Sequence, residues 1–306
     1  MLNFKIIKTM KKRNLVVLLC CLFAVGMIAL NGCKKKDATS LDNDTAGASD
    51  NATAENVSND VIAVGSQASD GGTLSSYRMG DADFILSTCA TVYHDTINKI
   101  DSVVFNGGSC LDGRTRSGSL VFDHSASPAG AKHYRDPGFT FSVRSHNYVV
   151  DGNQVTIISK TVTNTTPVGF NPLTTNETWA IAANISIVKA NGNTITWTST
   201  RTKTLLNTAT VYTNAQTPID WPHAKIQIDG AASGTRANGE TFTATATAMV
   251  RDFGGCSIGG KHPWISGTLN YAPSGKYARL IDFGTGTCDL NATVTINGNT
   301  YNIILP

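Results

Sequence analysis

The chain has 306 residues, with 25 Lys and Arg against 22 Asp and Glu, 41% hydrophobic residues and seven cysteines. Five of the basic residues fall in the first 32 positions, so the remainder holds 20 basic against 22 acidic residues, a net of −2. That balance lacks the basic patch that nucleic-acid binding demands, and no nucleic-acid partner is expected.

At the N-terminus, Lys5, Lys8, Lys11, Lys12 and Arg13 form a basic stretch without an acidic residue, and an apolar run follows from Leu15 to Leu30. The run is shorter than the roughly 20 apolar residues of a membrane span. Basic, then apolar, then small residues is the order of a secretory signal, here residues 1–32. The run ends in Leu30-Asn31-Gly32-Cys33. These four residues resemble the lipobox of bacterial lipoproteins. The resemblance implies cleavage before Cys33, acylation of that cysteine and anchoring to a membrane. Acyl chains contribute about 0.8 kcal/mol per buried methylene, so several together hold stably.

Cys20 and Cys21 leave with the leader and Cys33 is the lipidation site, so Cys89, Cys110, Cys256 and Cys288 remain. An even number in an exported chain reads as disulfides. Of the three pairings, Cys89–Cys110 with Cys256–Cys288 is expected, because each joins neighbouring strands of one local unit. A zinc site is the alternative, and no Cys-x-x-Cys spacing supports it.

Residues 33–75 hold the acylated cysteine and a polar stretch without Trp, Phe or Tyr, which reads as a disordered linker. Residues 76–306 read as an all-β ectodomain, an antiparallel meander or sandwich of hairpins, as one unit or as two β subdomains divided near 166–175. Period-2 alternation dominates there and no helical period is convincing. Asn297-Gly298 suits a two-residue type I′ loop pairing Val294 with Tyr301, Ala292 with Ile303 and Leu290 with Leu305. Asp151-Gly152 does the same and sets Tyr148 opposite Val155. Asn193–Leu205 carries six threonines on one face. A three-residue loop, Ala190-Asn191-Gly192 with Gly192 left-handed, sets Ile187 opposite Ile195 and Ile185 opposite Trp197, leaving the threonines beside Asn184 and Ser186 on the wet side. Thr241, Thr243, Thr245 and Thr247 make a second row, opposed by Phe242, Ala244, Ala246 and Ala248. Phe105–Cys110 and Phe283–Cys288 share the pattern Phe-x-x-Gly-(Ser/Thr)-Cys.

Several segments resemble an uncharacterised family of Bacteroidetes lipoproteins: Asp112–Gly118, Tyr134–Gly138, Thr194–Thr202, His262-Pro263 with Ser266–Leu269, Ile281–Asp289 and Ala292–Gly298. The resemblance covers most of residues 85–306. It implies an envelope location and a β-rich ectodomain, and it carries over no active site. Surface-exported members of the wider class often have acidic residues after the lipidated cysteine, whereas Lys34, Lys35 and Lys36 stand here. An outer-membrane anchor facing either the periplasm or the cell surface is therefore expected.

Candidate chemistry is sparse. Asp123-His124-Ser125 has the three letters of a hydrolase triad, but consecutive residues of an extended chain point to alternate sides. His124, His133 and His146 with Asp123 and Asp136 crowd a loop-rich region without ligand spacing, and Asp282-x-Gly284-x-Gly286-x-x-Asp289 lacks the carboxylate density of a calcium loop. No catalytic residue, metal site or cofactor is assigned. Trp179 and Trp197 fall on the apolar face. Trp221 and Trp264, beside prolines in expected loops, are the candidate ligand-binding residues. The expectation is a membrane-anchored module of the cell envelope, binding or structural, with the membrane as partner through its lipid and a glycan or protein as ligand. The alternative is a secreted hydrolase acting on envelope or environmental polymers.

Overall fold

A computed structural model describes residues 46–70, 89–110, 112–214, 217–218, 224–258 and 262–305. Alternating sequence, broken by left-handed turn residues, yields one antiparallel meander. Its strands are β1 (Ala90–Asp95), β2 (Ile100–Ser109), β3 (Thr115–Asp123), β4 (Thr140–Val150), β5 (Asn153–Asn164), β6 (Glu177–Val188) and β7 (Thr194–Leu205). After a connection containing helix α2 (Thr208–Val211) and the small ladder of β8 (Tyr212–Asn214) with β9 (Thr217–Pro218), the meander resumes. It continues through β10 (Lys225–Thr235), β11 (Thr241–Asp252), β12 (Trp264–Pro273), β13 (Arg279–Thr285), β14 (Asn291–Ile296) and β15 (Asn299–Ile304). The 13 strands of the main sheet follow chain order, with β7 beside β10. The β5–β6 ladder runs from Gln154↔Val188 to Asn164↔Trp179, so residues 166–175 are a connection within one sheet. The Phe-x-x-Gly-(Ser/Thr)-Cys echo falls at the ends of β2 and β13 of that sheet, with Phe105 and Phe283 both buried.

The hairpin registers follow from turn geometry. Asn297 and Gly298 have φ of 48° and 78°, and Asp151 and Gly152 have 50° and 76°, the left-handed pairs a type I′ loop needs. Val294 meets Tyr301, Ala292 meets Ile303 and Tyr148 meets Val155, and the Leu305 N–H donates to the Leu290 carbonyl at 2.7 Å. At the β6–β7 turn, Gly192 is left-handed with φ 82°, Ile185 pairs with Trp197 and Ile187 with Ile195, so the β7 threonines from Thr194 to Thr202 face solvent beside Asn184 and Ser186. In β11, Thr241, Thr243, Thr245 and Thr247 are exposed while Phe242, Ala244 and Ala246 are buried. Ala248 departs from the expected ladder. It sits at φ 47° in a bulge, exposed, and its N–H donates to Asp229 Oδ1 at 2.7 Å. The bulge adds one residue, which brings Met249 into the core and Val250 into a second small cluster with Cys256 and Ile265.

Helix α1 (Ala46–Asp70) corrects the expected linker. Of residues 33–75, positions 33–45 and 71–75 lie outside the described residues, but the middle is a helix whose side chains are largely buried against the sheet. Ala54, Val57, Val61, Val64 and Ala68 recur at alternating three- and four-residue spacing and form its apolar stripe. Gly65 lets the helix approach β3 and β4, since a Cβ there would lie 2.6 Å from the Phe122 ring. The linker expectation rested on composition: the stripe is built of small residues, and the polar residues between them, which would otherwise disfavour burial, have partners on the sheet.

The same contacts show that the sheet curls around the helix. Side chains or backbone of α1 reach β3, β4, β5, β7 and the β10–β11 turn. Strands lie about 4.8 Å apart, so those elements would span roughly 30 Å if the sheet were flat. A helix about 10–12 Å across touches them all only from inside a curved sheet.

Both disulfides form as expected, Cys89–Cys110 and Cys256–Cys288, closing sequence separations of 21 and 32 residues. In the loop-entropy account each stabilises by about 3–4 kcal/mol. Replacing Cys256 and Cys288 together by alanine is expected to lower the unfolding free energy by about that amount. Urea titration checks it, and an unchanged midpoint would refute the contribution.

The meander also sorts its connections. Short turns, 110–114, 151–152, 189–193, 236–240, 274–278 and 297–298, collect at one end. The connections at the other end include the long ones, 124–139, 165–176, 206–224 and 253–263. Asp50 of α1 meets the short-turn end at Lys189 and Ala237, and Ser69 meets the long-connection end at His133.

Candidate functional site

Two groups of buried polar side chains stand out. The first is the seam between α1 and the inner face of the sheet. Asp50 takes the Lys189 ammonium at 2.9 Å and the Ala237 N–H at 3.0 Å. Asn51 accepts from the Trp197 indole at 3.0 Å. Glu55 binds the Arg201 guanidinium, with Nη2 at 2.7 Å from Oε2. Ser58 accepts from the Lys160 ammonium at 2.7 Å. Asp60 accepts from both Nη2 and Nε of Arg116, from the Tyr148 hydroxyl at 2.6 Å, and pairs with Arg114 at 3.2 Å. The helix therefore supplies carboxylates and the sheet supplies cations, so each charge is buried with a counter-charge or hydrogen-bond partner.

Electrostatics marks two exceptions. Lys160 is fully buried, and desolvation pushes its pKa from 10.5 down to about 7, only partly opposed by Glu55. Among the described residues no carboxylate hydrogen-bonds its ammonium; its partner is a neutral hydroxyl. Arg251 is drawn down to about 10 by burial. Its guanidinium lies 4.0 Å from the centroid of Trp264, and its Nε has no hydrogen-bond partner among the described residues.

The second group ties two long connections and the end of β5 to one carboxylate. Glu177, the first residue of β6, is wholly buried. Asn164 donates to Oε1 at 3.0 Å and the Tyr212 hydroxyl to Oε2 at 2.9 Å, while Arg135 stands 3.7 Å away. Its backbone N–H donates to Thr208 Oγ1 at 3.0 Å. Burial raises its pKa from 4.5 to about 7, against the lowering effect of Arg135 and the two hydrogen bonds. Beside it Tyr134 stacks on Trp179, centroids 5.2 Å apart, with the Lys203 ammonium 4.8 Å from the Trp179 ring centre. Both carboxylate oxygens are engaged by protein donors, so the group acts as a clasp joining residues 134–135, 164 and 208–212.

The sequence candidates disperse. Cys33 and Trp221 lie outside the described residues. Trp264 opens β12 and is not in a loop; its ring is partly buried between Arg251 and Phe283. That packing follows from the inward register of the strand after the β11 bulge. Trp179 and Trp197 are core residues, as expected. Ser125 spends its hydroxyl on Asp123 at 2.6 Å, and His124 turns instead to Asp101 at 3.5 Å, which also pairs with His94 at 2.7 Å. Asp136 accepts from the N–H groups of Lys132 and His133, and His133 faces the Ser69 carbonyl. Asp282 and Asp289 cap the N–H groups of Gly284 and Asn291. No group of three metal-type ligands converges among the described residues.

Neither buried group was singled out from sequence, although a signal exists. Glu177 is in phase with Trp179, Ile181, Ala183, Ile185 and Ile187, and Arg201 with Ile195 and Trp197. A charge in register with a core face requires a buried counter-charge. No protein-family model, no curated protein and no solved structure matches the chain.

Proposed function

We propose that the chain is a lipid-anchored protein of the cell envelope, exported through its leader, acylated at Cys33 and held at the outer membrane. Its curled sheet then serves as a binding or structural module. The observation that carries this reading is the partition of the cysteines. The four that remain beyond Cys33 are consumed in two disulfides, which suits an oxidising compartment. Three more, Cys20, Cys21 and Cys33, sit in or at the end of a leader-like segment. Among the described residues no helix is long and apolar enough to cross a membrane.

A binding or structural role fits the side chains better than hydrolysis. The buried carboxylate with the largest upward pKa, Glu177, has both oxygens engaged, and Ser125 donates to the Asp123 carboxylate while His124 turns to Asp101. The outer face of the sheet offers rows of threonine from β7 and β11, a hydroxyl-rich surface suited to a glycan or protein ligand.

Fractionation of cells tests the anchor. The natural chain is expected in the outer-membrane fraction and in the detergent phase of a Triton X-114 partition. Cys33→Ser is expected to leave the outer membrane and retain its leader. Equal distribution of the two proteins would refute acylation as the anchor.

A further inference from the structure

We propose that the inner face of the sheet is a receptor groove for acidic helices, and that α1 occupies it as a replaceable resident less acidic than the helix of another protein that the groove fits. Three observations carry this.

The interface is unusually polar for the centre of a domain. Asp50, Asn51, Glu55, Ser58 and Asp60 are all buried in it, each with a partner on the sheet. Permanent interfaces resemble an apolar core cut in half, whereas exchangeable ones are more polar. Released into water, α1 would expose charged side chains and apolar ones no larger than valine and isoleucine, with no aromatic residue.

The groove also carries more positive charge than α1 neutralises. Arg116 and Arg201 take Asp60 and Glu55. Lys160 meets only the Ser58 hydroxyl, and Arg251 leans on Trp264 with its Nε unsatisfied among the described residues. The Ser199 and Tyr271 hydroxyls, buried on the same face, have no hydrogen-bond partner among the described residues. A helix with a carboxylate in place of Ser58 would complete the pairing with Lys160.

The spacing gives the partner a signature. Asp50, Glu55 and Asp60 are five residues apart, about 7.5 Å each along the axis. Successive acids are also turned by about 140° around the axis, so they are spread around the helix. The fitting helix carries acids at those positions and a fourth at the position of Ser58, and keeps Ala54, Val57, Val61, Val64 and Ala68 apolar.

The test uses the whole chain with a protease site inserted between residues 71 and 88, cut after folding. Labelled peptides of residues 46–70, natural and with Ser58→Asp, are added and followed by fluorescence anisotropy. The cut protein is expected to remain folded by circular dichroism and to exchange its resident helix for either peptide. The Ser58→Asp peptide is expected to bind about ten-fold tighter, and Lys160→Met protein should erase that advantage. Failure of the folded, cut protein to exchange, equal affinity for the two peptides, or loss of the sheet on cutting would each overturn the proposal. The exchange does not depend on acylation, so Cys33→Ser protein should behave identically.

Discussion

Replacing Asp60 by alanine is expected to destabilise the folded chain by about 3–5 kcal/mol. Asp60 is buried and is the shared acceptor for Arg116, Arg114 and the Tyr148 hydroxyl. Its removal leaves the Arg116 guanidinium, itself buried, with only Asp112 at the rim as a counter-charge. It also leaves the Tyr148 hydroxyl without its acceptor. Breaking one half of a buried ion pair costs in this range because the other charge stays out of water. Burial, with Asp60 adding to it, holds the Tyr148 pKa far above that of an ordinary tyrosine, so the phenol stays neutral and keeps its donor role. Urea unfolding of the natural and Asp60→Ala proteins gives the difference. A change below 1 kcal/mol would contradict the placement of α1 inside the sheet.

Stability is also expected to pass through a minimum near neutral pH from two opposed groups. Glu177 has its pKa raised by burial to about 7, so between pH 4.5 and 7 the folded chain holds a proton that the unfolded chain has lost. Stability from this group therefore falls as pH rises through that window, and the loss is complete above it. Lys160 is lowered by burial to about 7, so between pH 7 and 10.5 the unfolded chain binds a proton that the folded chain does not. Stability from this group therefore rises with pH across that window, and the cost of burying the charge is fully present below it. At 1.36 kcal/mol per pH unit the arms amount to at most about 3 and about 5 kcal/mol. Urea midpoints from pH 4 to 10 measure both. Glu177→Gln should flatten the acid arm and Lys160→Met the alkaline arm. A Lys160→Met protein that keeps the full alkaline rise would contradict the assignment.

Much of the sheet was legible because turn chemistry is local. Asn297-Gly298, Asp151-Gly152 and left-handed Gly192 each fix a register, and one register then places a whole strand. The pairing of Cys89 with Cys110 and of Cys256 with Cys288 followed from the same locality. What escaped was non-local. The α1 segment looks disordered because its burial depends on Lys189, Arg201, Lys160 and Arg116, at sequence separations of roughly 50 to 150 residues. Glu177 escaped for the same reason, since its partners lie on two connections and at the end of β5, which only the folded meander brings together. The Ala248 bulge escaped because alanine carries no sign of a left-handed backbone; the capping Asp229 lies across the hairpin.

The most direct measurement is the intact mass of the mature N-terminal peptide from protein extracted out of native membranes. Removal of residues 1–32 and a Cys33 bearing fatty acyl chains is the mass expected for an envelope lipoprotein. A peptide that still contains the leader, or an unmodified Cys33 at the new terminus, would contradict it.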